Sequence, residues 1–248
     1  MKRKNAISLI IIILVIAAVG YVVFNGLNIG LYTIEPTTKN INQGLDLRGG
    51  LYVTYEAKVE ANDPDKDSKI EGAMRVMRNR LDKENQNEAV IVRQGSKWIR
   101  VEIPGVKDPR ELANILSQPA ELKFIDPEDN VIIEGKDVKT AQPAFDGVST
   151  PVVQFELNKE GADKFAEATQ NNIGKIIKIE LDGKVISAPK VQTAITGGSG
   201  QITGMPDIEE ATKLANLIES GALPVPLEQL EIRTIGATLG SNALQKSI

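Results

Sequence analysis

Residues 51–59 read L-Y-V-T-Y-E-A-K-V. Leu51, Val53, Tyr55, Ala57 and Val59 alternate with Tyr52, Thr54, Glu56 and Lys58, the period of a half-buried strand. The residues after it decide which sheet that strand serves. Beyond the breaker N-D-P-D-K-D, Ile70, Ala73, Met74, Met77 and Leu81 recur on one face of a helix. Two short apolar runs, 89–93 and 98–103, are joined by Q-G-S-K and read as a hairpin. The second run puts Ile99, Val101 and Ile103 on one face and Trp98 on the other. Asp108 is placed to cap a helix, with Pro109 at its first position and Glu111 at its third. A run at 120–125 is expected to close the series. The order strand, helix, strand, strand, helix, strand is the ferredoxin-like βαββαβ pattern.

Downstream, I-D-P-E-D-N breaks the pattern and a new order begins. A short apolar piece at 131–133 leads to a strand at 152–157. Asn158 then caps a helix carrying Ala162, Phe165, Ala166 and Thr169 on one side. Strands at 175–181 and 184–187 flank Asp182-Gly183, a strong hairpin-turn pair. The loop T-G-G-S-G at 196–200 precedes a short strand at 201–203. Residues 126–205 are therefore expected to form a smaller α+β unit. Asp207 caps the next helix, and Gly221 ends it before a strand at 226–233. L-A-N-I-L-S at 112–117 resembles L-A-N-L-I-E-S at 214–220. That echo predicts that 206–233 rejoins the first unit, 44–125, and that 126–205 is an insertion. Its two crossings, Ile125, Asp126 and Pro127 and then Gly204, Met205 and Pro206, are candidate hinges.

Upstream, M-K-R-K precedes an uncharged run of 19 residues, 6–24. That is close to the ~20 a helix needs to cross a bilayer. The flanking bases predict residues 1–5 on the cytoplasmic side and everything after about 25 outside. Apolar residues continue past the small-x-small site Ala18-Val19-Gly20, which favours a retained anchor over a cleaved signal peptide. Residues 25–43 read as a linker. With Lys2, Arg3 and Lys4 set aside, 26 bases face 33 acids in the exported part. A net charge of −7 gives no broad reason to bind nucleic acid.

The 248-residue chain has no cysteine and no histidine. Disulfides, thiolate chemistry and the usual neutral-pH general base are excluded. No catalytic residue, metal or cofactor is expected. The stretch G-L-D-L-R-G-G at 44–50 invites comparison with a phosphate-binding loop. Gly44 and Gly49 have Walker spacing, but Gly50 and Leu51 stand where Lys and Ser/Thr are needed. A dinucleotide loop follows a strand, whereas this one precedes it. Asp46 and Arg48 share a face if the segment is extended. An Asp–Arg pair is more often a satisfied ion pair than a reactive one, so Gly44, Asp46, Arg48, Gly49 and Gly50 read as a junction into the first strand. The acids of D-P-D-K-D and D-P-E-D-N form no calcium-loop pattern.

Taken together, G-L-D-L-R-G-G-L-Y-V after a first apolar helix resembles the SecD family of protein-export subunits. So do V-V-Q-F-E-L-N-K-E-G-A-D-K-F at 152–165, G-K-I-I-K-I-E-L-D-G-K-V-I-S-A-P at 174–189, and S-G-A-L-P-V-P-L-E with R-T-I-G-A-T-L-G between 220 and 240. The resemblance implies an N-terminal portion of a SecD chain, with a ferredoxin-like base, an inserted mobile head, and 234–248 approaching a second transmembrane helix. It implies SecF, the SecYEG channel, the lipid bilayer and unfolded exported polypeptide as partners, with movement coupled to the proton motive force in the complete protein. Ile195, Thr196, Gly197, Gly198 and Gly200 are candidate polypeptide contacts. The competing expectation is a single-pass sensor or adaptor that uses the same domains to bind an extracytoplasmic partner.

Overall fold

In the computed structural model, residues 3–29, 32–34, 45, 49–147 and 149–236 are described. Helix α1 (Arg3–Asn25) leads into an antiparallel ribbon of β1 (Leu27–Ile29) and β2 (Tyr32–Ile34), within the stretch read as a linker. Side chains on α1 are described over 10–23, roughly 20 Å of helix at 1.5 Å per residue. Among the described residues, no helix is long and apolar enough to cross a membrane.

The first core is built from β3 (Gly50–Ala57), α2 (Lys66–Lys83), β4 (Val90–Gln94), β5 (Trp98–Pro104) and α3 (Pro109–Ser117). The alternation read at 51–59 is what makes β3 central. Leu51, Val53 and Tyr55 are fully buried beside Ile99, Val101 and Ile103 of β5. The α2 residues Ile70, Ala73, Met77 and Leu81 cover that face, with Leu112, Ala113 and Leu116 of α3. Each such buried aliphatic side chain contributes about 1.5–3 kcal/mol. The Tyr55 hydroxyl donates to the Ala113 carbonyl at 2.8 Å, tying α3 to the sheet. The Asp108 side chain accepts from the Glu111 amide at 3.0 Å, so the expected cap forms.

The strand at 120–125 does not close this sheet. Strand β6 (Leu122–Ile125) pairs instead with β10 (Lys178–Leu181) and β7 (Val131–Glu134). The edge beside β3 is taken by β13 (Leu227–Ile235), giving an antiparallel order β13-β3-β5-β4. A four-residue apolar strand carries no signal for its partner. The longer β13 pairs with β3 along its whole length, from Leu227 opposite Ala57 to Ile235 opposite Gly50.

A second core follows. One sheet has the order β11-β10-β6-β7, where β11 is Lys184–Ser187. The other has the order β12-β9-β8, from β8 (Val138–Asp146), β9 (Thr150–Leu157) and β12 (Ser199–Ile202). Helix α4 (Lys159–Asn171) is capped by Asn158, which accepts from the Gly161 amide at 2.9 Å. Phe124, Phe155 and Phe165 meet edge to face at the centre, with ring centroids 5.2–6.2 Å apart. Helix α5 (Ile208–Ser220), expected to rejoin the first unit, packs Ala211, Ala215 and Ile218 into this second core. It also touches α2, so it lies where the two cores meet.

Candidate functional site at the junction of the cores

The chain passes between the cores twice, at 118–121 after α3 and at 221–226 after α5. These crossings run side by side, and the Leu223 amide donates to the Pro119 carbonyl at 2.9 Å. One buried side chain holds both. Arg80, on α2, is 2 % exposed. Its Nη1 donates to the carbonyls of Ile115 at 2.8 Å, Leu116 at 3.2 Å and Gln118 at 2.6 Å. Its Nη2 reaches the Gly221 carbonyl at 3.1 Å, and Nε lies 3.4 Å from Ser220 Oγ. The guanidinium thus sits at the C-termini of α3 and α5, where the helix dipoles are negative and carbonyls lack intrahelical partners. Burial pulls Arg80 down to about 10, so it stays charged at neutral pH.

Asp182, in the β10–β11 turn, secures the first crossing from the other side. It accepts from the Glu121 amide at 2.8 Å and lies 3.4 Å from Gln118 Nε2. Ala120, between them, is buried with φ +61, a left-handed conformation that residues other than glycine and asparagine rarely adopt. The path between cores is therefore short, strained and bonded on both sides.

Next to this crossing lies a cleft of about 400 Å³. Ile115 of α3 forms one wall; Leu181, Ile186, Met205, Leu214 and Leu217 form the others. Its rim carries Lys83, Glu84, Glu111, Glu210 and Lys213. Lys213 of α5 pairs with Glu111 of α3 at 2.7 Å, and Lys83 of α2 pairs with Glu219 of α5. A mostly apolar cleft of this size with a few charged groups among its lining has the general form of a ligand pocket.

The residues singled out from the sequence fall in several places. Gly204, Met205 and Pro206 precede α5 and line the cleft. Ile125, Asp126 and Pro127 lie at the β6–β7 connection, between adjacent strands of one sheet, and so not at a crossing. Asp126 closes that turn by accepting from the Glu128 and Asn130 amides at 2.9 and 2.8 Å. Ile195 and Gly200 border a second groove of about 240 Å³ above the three phenylalanines. A Cβ at Gly200 would lie 2.6 Å from the Phe155 ring, and one at Gly198 would meet Ala162 at 2.7 Å. These two glycines are needed for close packing of β12, while Gly197 has open space around its Cα. Thr196 lies beside them in the loop before β12.

At the start of β3, a Cβ on Gly50 would lie 2.1 Å from the Ile103 carbonyl oxygen. Gly49 accepts from the Gly105 amide at 3.0 Å. Gly44, Asp46 and Arg48 lie outside the described residues. The sequence reading missed Arg80 and gave Asp182 only a role in its own hairpin turn, not its bond to the crossing. Arg80 was detectable, because it falls seven residues after Ala73 on the apolar stripe of α2.

Comparison with known proteins identifies the architecture. A family model for the SecDF P1 head subdomain matches residues 113–225, and one for the N-terminal part of the SecDF P1 domain matches 70–129. A solved structure of SecDF, a membrane component that enhances protein export, superposes with a TM-score of 0.67 at 34% identity, covering 73% of this chain and 99% of that one. The chain belongs to the SecD family. The protein translocase subunit SecD of Acidaminococcus fermentans is 41% identical across all of this chain and 57% of its own length. SecD of Dictyoglomus turgidum is 43% identical over 82% of this chain and 51% of its own. SecDF in its super-membrane-facing form matches 98% of this chain and 37% of its own, with a TM-score of 0.71 at 34% identity. The chain thus spans about half the length of the curated SecD relatives it matches. The head match begins inside α3 and ends before β13, so it takes in β6 and α5, as the second core does.

Proposed function

We propose that the chain acts as the membrane-anchored, extracytoplasmic part of a non-enzymatic Sec export subunit, and that its junction cleft holds an extended segment of translocating polypeptide. The observation that carries this reading is that the cleft takes its walls from both cores. A ligand in such a cleft binds one orientation of the head better than another, so binding and movement are linked by differential affinity. The head is 118–226, hinged at 118–121 and 221–226, and Gly204, Met205 and Pro206 serve as a wall of the cleft. Ile195 and the groove beside it offer a second apolar contact for the same chain. The base is 50–117 with 227–235. Its order β13-β3-β5-β4 supports a ferredoxin-like βαββαβ unit with the head inserted before its last strand.

The uncharged run 6–24 supports α1 as the anchor, since its 23 residues measure about 35 Å at 1.5 Å each. Lys2, Arg3 and Lys4 support a cytoplasmic N-terminus. The junction at Gly44, Asp46, Arg48, Gly49 and Gly50 orients the base on its linker. SecF and the SecYEG channel are the partners, and in the complete protein the proton motive force drives the head.

Because the chain has no cysteine, Glu111→Cys with Lys213→Cys can be joined across the cleft by a short bifunctional thiol reagent in the full-length protein. Export of a secreted reporter is expected to fall to the level seen without the subunit, with assembly on SecF intact. Normal export after complete joining would refute the moving cleft.

A further inference from the structure

We propose that the junction contains a pivot and a separate latch: Arg80 keeps both crossings together in every head orientation, and Lys213–Glu111 with Lys83–Glu219 hold the cleft in the shape described. This inference rests on the proposed head movement and adds the parts that limit it. The two sets of contacts differ in kind. Arg80 is 2 % exposed, and its fork bonds two carbonyls in the last turn of α3, one at the start of the outgoing crossing and one of the return. Losing those bonds would strand a buried charge and several carbonyls away from water, which is costly. The guanidinium is also rigid and planar, so its contacts are lost together rather than one at a time.

The ion pairs are the weaker set. Side-chain exposures are 35% for Lys213, 46% for Glu111, 41% for Lys83 and 23% for Glu219. Pairs this accessible are worth little each and are screened by salt. Lys213 also has somewhere to go. Glu209 lies 3.1 Å from it and Glu210 3.3 Å, both on its own helix. When Glu111 moves away, the ammonium keeps two carboxylates on its own helix, and the freed, half-exposed Glu111 carboxylate is taken up by water. All of Lys83, Glu111 and Lys213 stand at the mouth of the cleft, so releasing the latch opens the space between α3 and α5. A low-cost release beside a high-cost pivot produces rotation rather than detachment.

The test is a distance measurement by pulsed electron spin resonance on the full chain in detergent. Spin labels are placed at Ser96→Cys on the first core and Gln170→Cys on the second, both exposed. At low salt one main distance is expected. In Glu111→Gln with Glu219→Gln, or in wild type at 1 M salt, a second distance is expected, with the population ratio raised at least about fivefold, the size two half-exposed pairs can carry. Arg80→Lys, which keeps charge but loses the fork, is expected to broaden the distribution at every salt concentration. Two distances that ignore both salt and the Glu→Gln changes would overturn the latch while leaving movement intact. A single sharp distance in the latch variants and in Arg80→Lys alike would overturn pivot and latch, and would count against movement too. If Arg80→Lys fails to fold by circular dichroism, the salt and Glu→Gln arms still decide the latch.

Discussion

At the residue scale, Arg80 governs how the cores are joined and Gly200 how closely the second core packs. Arg80 joins two helix ends with charge-assisted hydrogen bonds, which are roughly twice as strong as neutral ones. Gly200 does its work by being small. The Phe155 ring occupies the space a side chain would need, and Phe155 is itself fixed by Phe124 and Phe165. Gly200→Ala is expected to destabilise the second core by about 1–3 kcal/mol, the usual cost of overpacking. Urea unfolding followed by a probe in that core checks it; an unchanged midpoint would mean the ring yields freely.

At the element scale, what could be read from sequence was local and what could not was pairing. The stripe of α2, the caps Asp108, Asn158 and Asp207, and the Asp182-Gly183 turn are settled by neighbours in the chain. Asp207 indeed accepts from the Glu210 amide at 2.8 Å. One of the two partners of β6, β10, lies more than fifty positions away, and no pattern within four residues encodes that pairing. Helix α5 was misplaced for a related reason, since its echo of α3 reflects a shared need for an apolar face rather than a shared core. The cleft was hidden because three of its walls come from elements that meet only after the insertion folds back.

Electrostatics adds a prediction for β3. Hydrogen bonds from Lys58 and then Lys97 lower Glu56 to about 2. Lys58 also pairs with Glu228 on β13, so this cluster joins three strands' worth of chain at one end of the first sheet. A carboxylate lowered on folding adds stability above its unfolded pKa, near 4.5, and loses it as pH falls through about 2. Glu56→Gln should therefore flatten the loss of stability between pH 5 and about 2 relative to wild type, read as the change in unfolding midpoint with pH. Parallel curves would show that the lysines do not hold Glu56 in solution.

At the scale of the whole molecule, a sheet-and-helix base and a second core are joined by two adjacent crossings, with an apolar cleft alongside. In the function proposed, the short paired crossings would confine the motion of one body against the other, and a cleft made by both would convert that motion into a change of affinity. The proposed function requires that exported polypeptide enter this cleft. The direct measurement is site-specific photo-crosslinking in the full-length protein carrying a stalled export substrate. Probes replace Met205 and Leu214 in the cleft and, as a control, Val90 on the exposed edge strand β4. Strong crosslinks to substrate are expected from positions 205 and 214, with only background from 90. Crosslinks from 90 with none from the cleft positions would contradict the proposed function.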